Sequence, residues 1–262
     1  MFNVWKDGIV IALQLLTIIP FRKRVDWEAK RIEAAVASFP VVGLILGTSL
    51  AACFWLVSSF DLFSPLFLTV FLMTISLLYS GGLHLDGWAD FHDAVMSRRS
   101  KAEKLAIMDD PRLGTFGLLS VLLLLGWRFV FMFEAIRAGS TLELLLALFL
   151  IPFLSRVIMG WQLLLGPFAK KEGMAKAFEP AKTRRLTYVY VSWTVLGFFL
   201  SIAFYPLFVS LTIAASIFTV FWLKWVTFHL GGITGDTLGA AEEGGETLLW
   251  AVVSSLLLFV TV

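Results

Sequence analysis

The chain has 262 residues, 59% of them hydrophobic and 15% charged, with a formal net charge of +2 and a mean hydropathy of +0.87. A soluble domain carries roughly a quarter charged residues and about half apolar ones. A water-soluble globule of this length therefore cannot hide so much apolar surface, and lipid must cover part of it. The small net charge argues against a nucleic-acid partner, and the single cysteine, Cys53, excludes an internal disulfide.

In chain order, an apolar stretch at 9–20 comes first and runs straight into Phe21-Arg22-Lys23-Arg24. No small-residue cleavage site follows it, so it reads as a retained re-entrant or interfacial helix, not a signal peptide. A helix needs about 20 mostly apolar residues to cross the hydrocarbon core. That criterion predicts about seven spans: 36–58, 63–82, 115–135, 142–165, 187–205, 208–229 and 247–262. The expected fold is all-α and polytopic. No linker, low-complexity tract or internal repeat divides the chain, so 1–262 is read as one membrane domain.

The basic residues orient this layout. Arg22, Lys23, Arg24, Lys30 and Arg31 precede the first span, and Arg98, Arg99, Lys101, Lys104 and Arg112 follow the second. Lys170, Lys171, Lys176, Lys182, Arg184 and Arg185 follow the fourth. All of these fall on one face if the spans alternate, and the opposite turns hold only Arg137. Positive residues favour the cytoplasmic face, which places the long loops and the acidic segment 230–246 there.

Two of these segments carry candidate chemistry. The loop at 81–117 reads GGLHLDGWADFHDAVMSRRSKAEKLAIMDDPRLGTFG. If it is helical, Asp86, Asp90 and Asp93 sit at about 0°, 40° and −20° around the axis. Three carboxylates on one face repel one another unless a cation lies between them, and Mg²⁺ combines one or two carboxylates with waters and substrate phosphates. The competing reading is a solvated acidic face. The second segment, GGITGDTLGAAEEGGE at 231–246, has four acids, six glycines and no base. Asp236 and Glu243 share a face there if the segment is helical, with Glu246 about 60° further round; its glycines argue against a continuous helix. Arg112, inside Asp110-Pro111-Arg112-Leu113-Gly114, is the basic residue most suited to grip a phosphate. A Zn site at His84, His92 and the aspartates does not match metalloprotease spacing and lacks a cysteine ligand. Among the ionisable residues inside spans, Arg156 is the best functional candidate.

GGLHLDGWADFHDA, LAIMDDPRLGTFG and GGITGDTLGAAEEGGE together resemble the cobalamin synthase (adenosylcobinamide-GDP ribazoletransferase) family. Weaker matches at 16–20, 39–43, 155–156 and 166–173 follow in the expected order. The resemblance implies a multipass inner-membrane enzyme with its active site on the cytoplasmic face, which requires Mg²⁺. It would join adenosylcobinamide-GDP to α-ribazole or its 5′-phosphate, releasing GMP and adenosylcobalamin or its 5′-phosphate. Carried onto this chain, it assigns metal or diphosphate binding to Asp86, Asp90, Asp93 and Asp236, with Glu243 and Glu246 in similar roles. Gly87 is a close-packing position, and His84, Asp110, Arg112, Thr115, Arg156 and Thr234 are substrate-side candidates. Ala94 and Asp109 depart from the family's usual glycine and basic residue. Membrane lipid is the expected surrounding, and an oligomer is compatible with the sequence. The runner-up is a CDP-alcohol phosphotransferase, whose terminal aspartate spacing the chain lacks. A cation transporter ranks lower, because the acids cluster in loops and the halves do not repeat.

Overall fold

Short polar connections cut the apolar sequence into helices, and the computed structural model describes them over residues 2–60 and 62–260. In order they are α1 (Phe2–Leu16), α2 (Ala29–Ala37), α3 (Phe39–Ser58), α4 (Pro65–Ser80), α5 (Leu83–Met96), α6 (Lys101–Met108), α7 (Thr115–Ala138), α8 (Thr141–Leu165), α9 (Met174–Ala177), α10 (Arg184–Phe204), α11 (Val209–Leu230) and α12 (Gly235–Val260). No strand occurs among the described residues, and the only sheet-like contact is an isolated bridge between Phe168 and Ile233.

The all-α membrane architecture is as expected, and among the described residues five to six of the about seven expected spans are found. Five helical stretches are each long and apolar enough to cross a membrane: Ala29–Ser58, Thr115–Ala138, Thr141–Leu165, Arg184–Ala203 and Pro206–Leu230. A sixth arises only if α4 and α5 are taken together across an 86° bend. Gly81 and Gly82 make that bend, both in the left-handed region (φ +64° and +78°) that residues with a Cβ avoid. The seventh expected span, 247–262, is the C-terminal part of α12, with 261–262 outside the described residues. The glycines do not break this helix, contrary to expectation. Gly244 lies against the Trp88 ring and Gly245 against Ile158, so tertiary packing outweighs their poor propensity. The 15-residue α1 covers about 22 Å at 1.5 Å per residue, less than the hydrocarbon thickness.

One helix organises the bundle. In α8, 72% of the span is buried, against 22–33% in the other four spans. Its tightest partner is α3, where Gly43 and Gly47 repeat at i, i+4. A Cβ at Gly43 would collide with the Pro152 carbonyl oxygen, and one at Gly47 would lie 3.0 Å from the Leu148 carbonyl. Small residues let membrane helices approach to backbone contact, and Pro152 supplies no N–H to the Leu148 carbonyl that faces Gly47. From the other side, Tyr190 of α10 donates its hydroxyl to the Val36 carbonyl at 2.7 Å, and Trp193 donates to the Ala37 carbonyl at 3.1 Å.

The three basic segments gather at one end of the bundle. Lys170 reaches Asp109 at 2.6 Å, Lys104 approaches His229 at 3.3 Å, and Thr183 donates to Glu33 at 3.1 Å. Gly43→Leu is expected to lower stability by about 1–3 kcal/mol through overpacking. Thermal unfolding in detergent checks this, with the lipid-facing Leu122→Ala (59% exposed) as a near-neutral control.

Candidate active site

The α5–α12 crossing assembles the two motif segments. A Cβ on Gly87 would lie 2.8 Å from the Asp236 Cα, and one on Gly239 would lie 3.0 Å from the His84 Cα. Glycine at both positions lets the two helices approach to backbone contact. The start of α12 is locked by a reciprocal cap. The Thr234 hydroxyl accepts from the Thr237 N–H at 3.2 Å, and the Thr237 hydroxyl accepts from the Thr234 N–H at 2.8 Å. This is the capping-box arrangement with threonine in both roles. The preceding turn is pinned by backbone pairing, with Ile233 N–H on the Pro167 carbonyl at 2.7 Å and Ala169 N–H on the Ile233 carbonyl at 3.0 Å.

This crossing creates an acidic group facing the aqueous end. Asp86 is exposed, and Asp90 and Asp236 are half-buried. The charges of Asp86, Asp236 and Asp93 all bear on the Asp90 carboxylate, while Asp236 feels Lys170 and Asp86 and accepts from the Thr234 hydroxyl. Neither Asp86 nor Asp90 has a salt-bridge partner among the described residues. Asp86, Asp90 and Asp236 act on one another electrostatically and are hard oxygen donors of the kind Mg²⁺ takes, although the only group among the described residues whose ligand atoms lie within 4.8 Å of one another is His84, Glu242 and Glu243.

Asp93 makes a contact that its spacing alone did not reveal. Its Oδ2 accepts the Gly114 N–H at 2.7 Å and its Oδ1 accepts the Gly117 N–H at 2.8 Å, at the first turn of α7. An added Cβ at either glycine would strike this carboxylate. Asp93 thus caps α7 from another helix, satisfying orphan donors and meeting the positive end of the helix dipole. The Gly-Thr-Phe-Gly motif is the seat of that cap, and Thr115 stands exposed at the first helical position.

A second group lies deeper, buried among α5, α7, α8 and α12. Arg156 of α8 forms an ion pair with Glu242 Oε1, which also accepts from Ser155 at 3.1 Å. Glu242 Oε2 holds His84 Nδ1 at 3.0 Å. Arg128 of α7 binds Glu243 at 2.7 Å through both its carboxylate and its carbonyl, and reaches Thr247 at 2.9 Å. Glu246 stands between the two arginines, at 3.7 Å from Arg128 and 4.0 Å from Arg156. Atoms of His84, Glu242 and Glu243 lie within 4.8 Å of one another, close enough to surround an ion. The arginines already occupy both of these carboxylates, however, so the set is better described as an ion-pair network. His84 Nε2 and Trp88 Nε1 remain buried without partners.

The expected residues therefore divide into two neighbouring groups: Asp86, Asp90 and Asp236, and His84, Arg156, Glu243 and Glu246. Asp110 and Arg112 join neither. They form a fork on the exposed loop, with Arg112 Nε on Asp110 Oδ1 at 2.9 Å, and Arg112 holds the Asp110 carboxyl down at about 2. Sequence reading assigned no functional role to Glu242, Ser155 or Arg128. The available signal was the presence of two arginines inside apolar spans, since each needs a buried carboxylate nearby.

Comparison with known proteins follows this geometry. The model of the Cobalamin-5-phosphate synthase family matches residues 8–254. The chain belongs to that family. A relative from Geobacillus sp. (strain WCH70) is 41% identical over 98% of both chains. One from Halalkalibacterium halodurans is 36% identical over 97% of this chain and 98% of its own. A third, from Geobacillus thermodenitrificans, is 38% identical over 97% of each. All three carry the name adenosylcobinamide-GDP ribazoletransferase. No solved structure matches the chain. With the family placed, the lipid-headgroup transferase and transporter readings lose their footing.

Removing one side of the buried network strands a charge, which costs about 3–5 kcal/mol. Arg156→Leu is expected to destabilise by that order, and the double variant Arg156→Leu/Glu242→Leu by distinctly less. Additive losses in thermal unfolding would show that the pair is not coupled. Asp93→Ala should cost about 1–2 kcal/mol, as loss of a helix cap does, with Asp93→Asn retaining part of it.

Proposed function

We propose that this chain transfers the cobinamide phosphate of adenosylcobinamide-GDP to α-ribazole or α-ribazole 5′-phosphate, releasing GMP, in a Mg²⁺-dependent reaction. The observation that carries this reading is the meeting of Asp86 and Asp90 with Asp236 at the Gly87 crossing. It brings the two acidic motifs side by side, and the relatives' printed names give the chemistry that carboxylates there would serve.

Asp86, Asp90 and Asp236 would hold Mg²⁺, whose charge would offset that of the diphosphate and of the departing GMP. The residues of the chain supply the positioning on which phosphoryl transfer depends. Lys170, tied to Asp109, brings a positive charge to the edge of the acidic group, and the flanking Arg98, Arg99 and Lys101 attract an anionic donor from solution. The acceptor hydroxyl attacks the cobinamide-proximal phosphorus as the bond to the GMP oxygen breaks. The hydroxyl proton is released to water, and no covalent protein nucleophile is required. The Arg156–Glu242–His84 linkage holds α5 against α12 so that the carboxylates keep their spacing.

The site lies at the end of the bundle where the basic segments gather, and we assign that end to the cytoplasmic face of the inner membrane on the positive-inside tendency. The test is an assay in nanodiscs with adenosylcobinamide-GDP, α-ribazole and Mg²⁺. GMP and cobalamin should form together, cease on chelation and return with Mg²⁺. Asp86→Asn and Asp236→Asn should each lower turnover by about 10²-fold or more, the scale seen when an electrostatic contact to the transition state is lost, without changing the unfolding temperature. Near-normal turnover in either variant would remove that residue from the site.

A further inference from the structure

A cavity of about 230 Å³ opens among α1, α2 and α10 and shares no lining residue with the acidic group or the buried network. Lys30, Glu33 and Ala37 of α2 line one side at i, i+3 and i+7, the spacing of one helix face. Trp5 of α1 and Arg185 and Leu186 of α10 stand across from them. Lys30, Arg185 and Trp5 are exposed, whereas Ala37 and Leu186 are buried, so the cavity has a charged mouth and an apolar floor. Glu33 is its only acid, and that carboxylate is already engaged: it accepts from Thr183 at 3.1 Å and lies 4.0 Å from Arg185 Nε. Lys30 has no ion-pair partner among the described residues. The lining therefore keeps cationic N–H groups to spare.

Its depth in the membrane says what it meets. The 30-residue stretch Ala29–Ser58 is about 45 Å long, against a hydrocarbon core of about 30 Å. The first turns of α2, with Lys30, thus stand in the headgroup layer, where tryptophans such as Trp5 are also favoured. Arg185, the second residue of its own span, lines the same cavity at that level. Tyr188, Val195 and Phe199 lie within about 80° of Arg185 around α10, and all three are exposed. An apolar stripe therefore leads from the charged mouth into the hydrocarbon. A soluble anion would use the mouth alone.

We propose that this cavity binds the phosphate of an anionic glycerophospholipid, whose chains lie along the stripe of α10. The space is smaller than the pockets of about 300–1,000 Å³ that take drug-sized molecules, so it holds a headgroup and leaves the chains in the bilayer. Arg185 offers a planar fork to the phosphate oxygens, and Lys30 a point charge. Basic pockets between helices on the cytoplasmic side take anionic headgroups in this way. A choline headgroup would bring its own cation against Lys30 and Arg185. The bound phosphate links α2 to α10, beside the Thr183–Glu33 hydrogen bond. This lipid site stands whatever reaction the acidic group performs.

The experiment is native mass spectrometry of the full chain, delipidated in detergent and titrated with phosphatidylglycerol or phosphatidylcholine of the same chain length. Phosphatidylglycerol should bind at least tenfold more tightly. Lys30→Gln/Arg185→Gln, at two exposed positions with little risk to folding, should weaken phosphatidylglycerol at least fivefold and leave phosphatidylcholine within twofold. Lys101→Gln/Lys171→Gln removes the same charge from exposed positions outside the cavity and should change neither. Val189→Phe, which fills the half-buried floor and keeps every charge, should also weaken phosphatidylglycerol at least fivefold. Equal binding of the two lipids overturns the proposal, as does equal weakening by the two charge variants or unchanged binding in Val189→Phe. Displacement of the lipid by an equal concentration of inorganic phosphate overturns it too, because the mouth would then be a site for free anions.

Discussion

The Glu242 carboxylate ties three helices together, because one of its oxygens takes Arg156 of α8 and the other takes His84 of α5. Bringing these charges out of water is costly, and the cost is tolerated only where the partners stay matched. Breaking the match would release α5 from α12, and with it the spacing between the two acidic motifs. The fold accordingly places the network on α8, its most buried span. Arg128 and Glu243 repeat the arrangement between α7 and α12, so the long acidic helix is held from two sides.

This division of labour explains why so many acids crowd one end of a membrane protein. Glu242 and Glu243, paired with arginine, lie deep, whereas Asp86, Asp90 and Asp236 lack such pairing and lie toward water. Asp93 belongs with the first kind, although its partner is a helix end and not a guanidinium. The distinction is one of compensation, and it separates acids that hold the bundle from acids free to meet a cation.

Much of this was legible in the sequence. The apolar runs coincide with helices, and the glycine–acid motifs coincide with the crossing, because hydropathy and close packing are written locally. What was illegible depended on contacts across the chain. Glu242 and Glu243 are neighbours with the same chemistry, and only the approach of α8 on one side and α7 on the other decides which arginine each receives. The continuity of α12 was hidden for the same reason. Its glycines read as breakers until His84, Trp88 and Ile158 are seen packed against them. Asp93 shares a helical face with Asp86 and Asp90, yet the start of α7 captures it, and no periodicity within α5 reveals that.

Glycine at the crossing is thus the hinge between sequence and chemistry. A side chain at 87 or 239 would push α12 away from α5, separating Asp236 from Asp86 and His84 from Glu242 in one movement. The acidic donor set and the buried network therefore share a single steric requirement. Backbone contact at Gly87 sets the distance between carboxylates that would share an ion, while contact at Gly239 puts His84 within reach of Glu242. One helix crossing positions both the exposed acids and the buried network, so the two groups are fixed together.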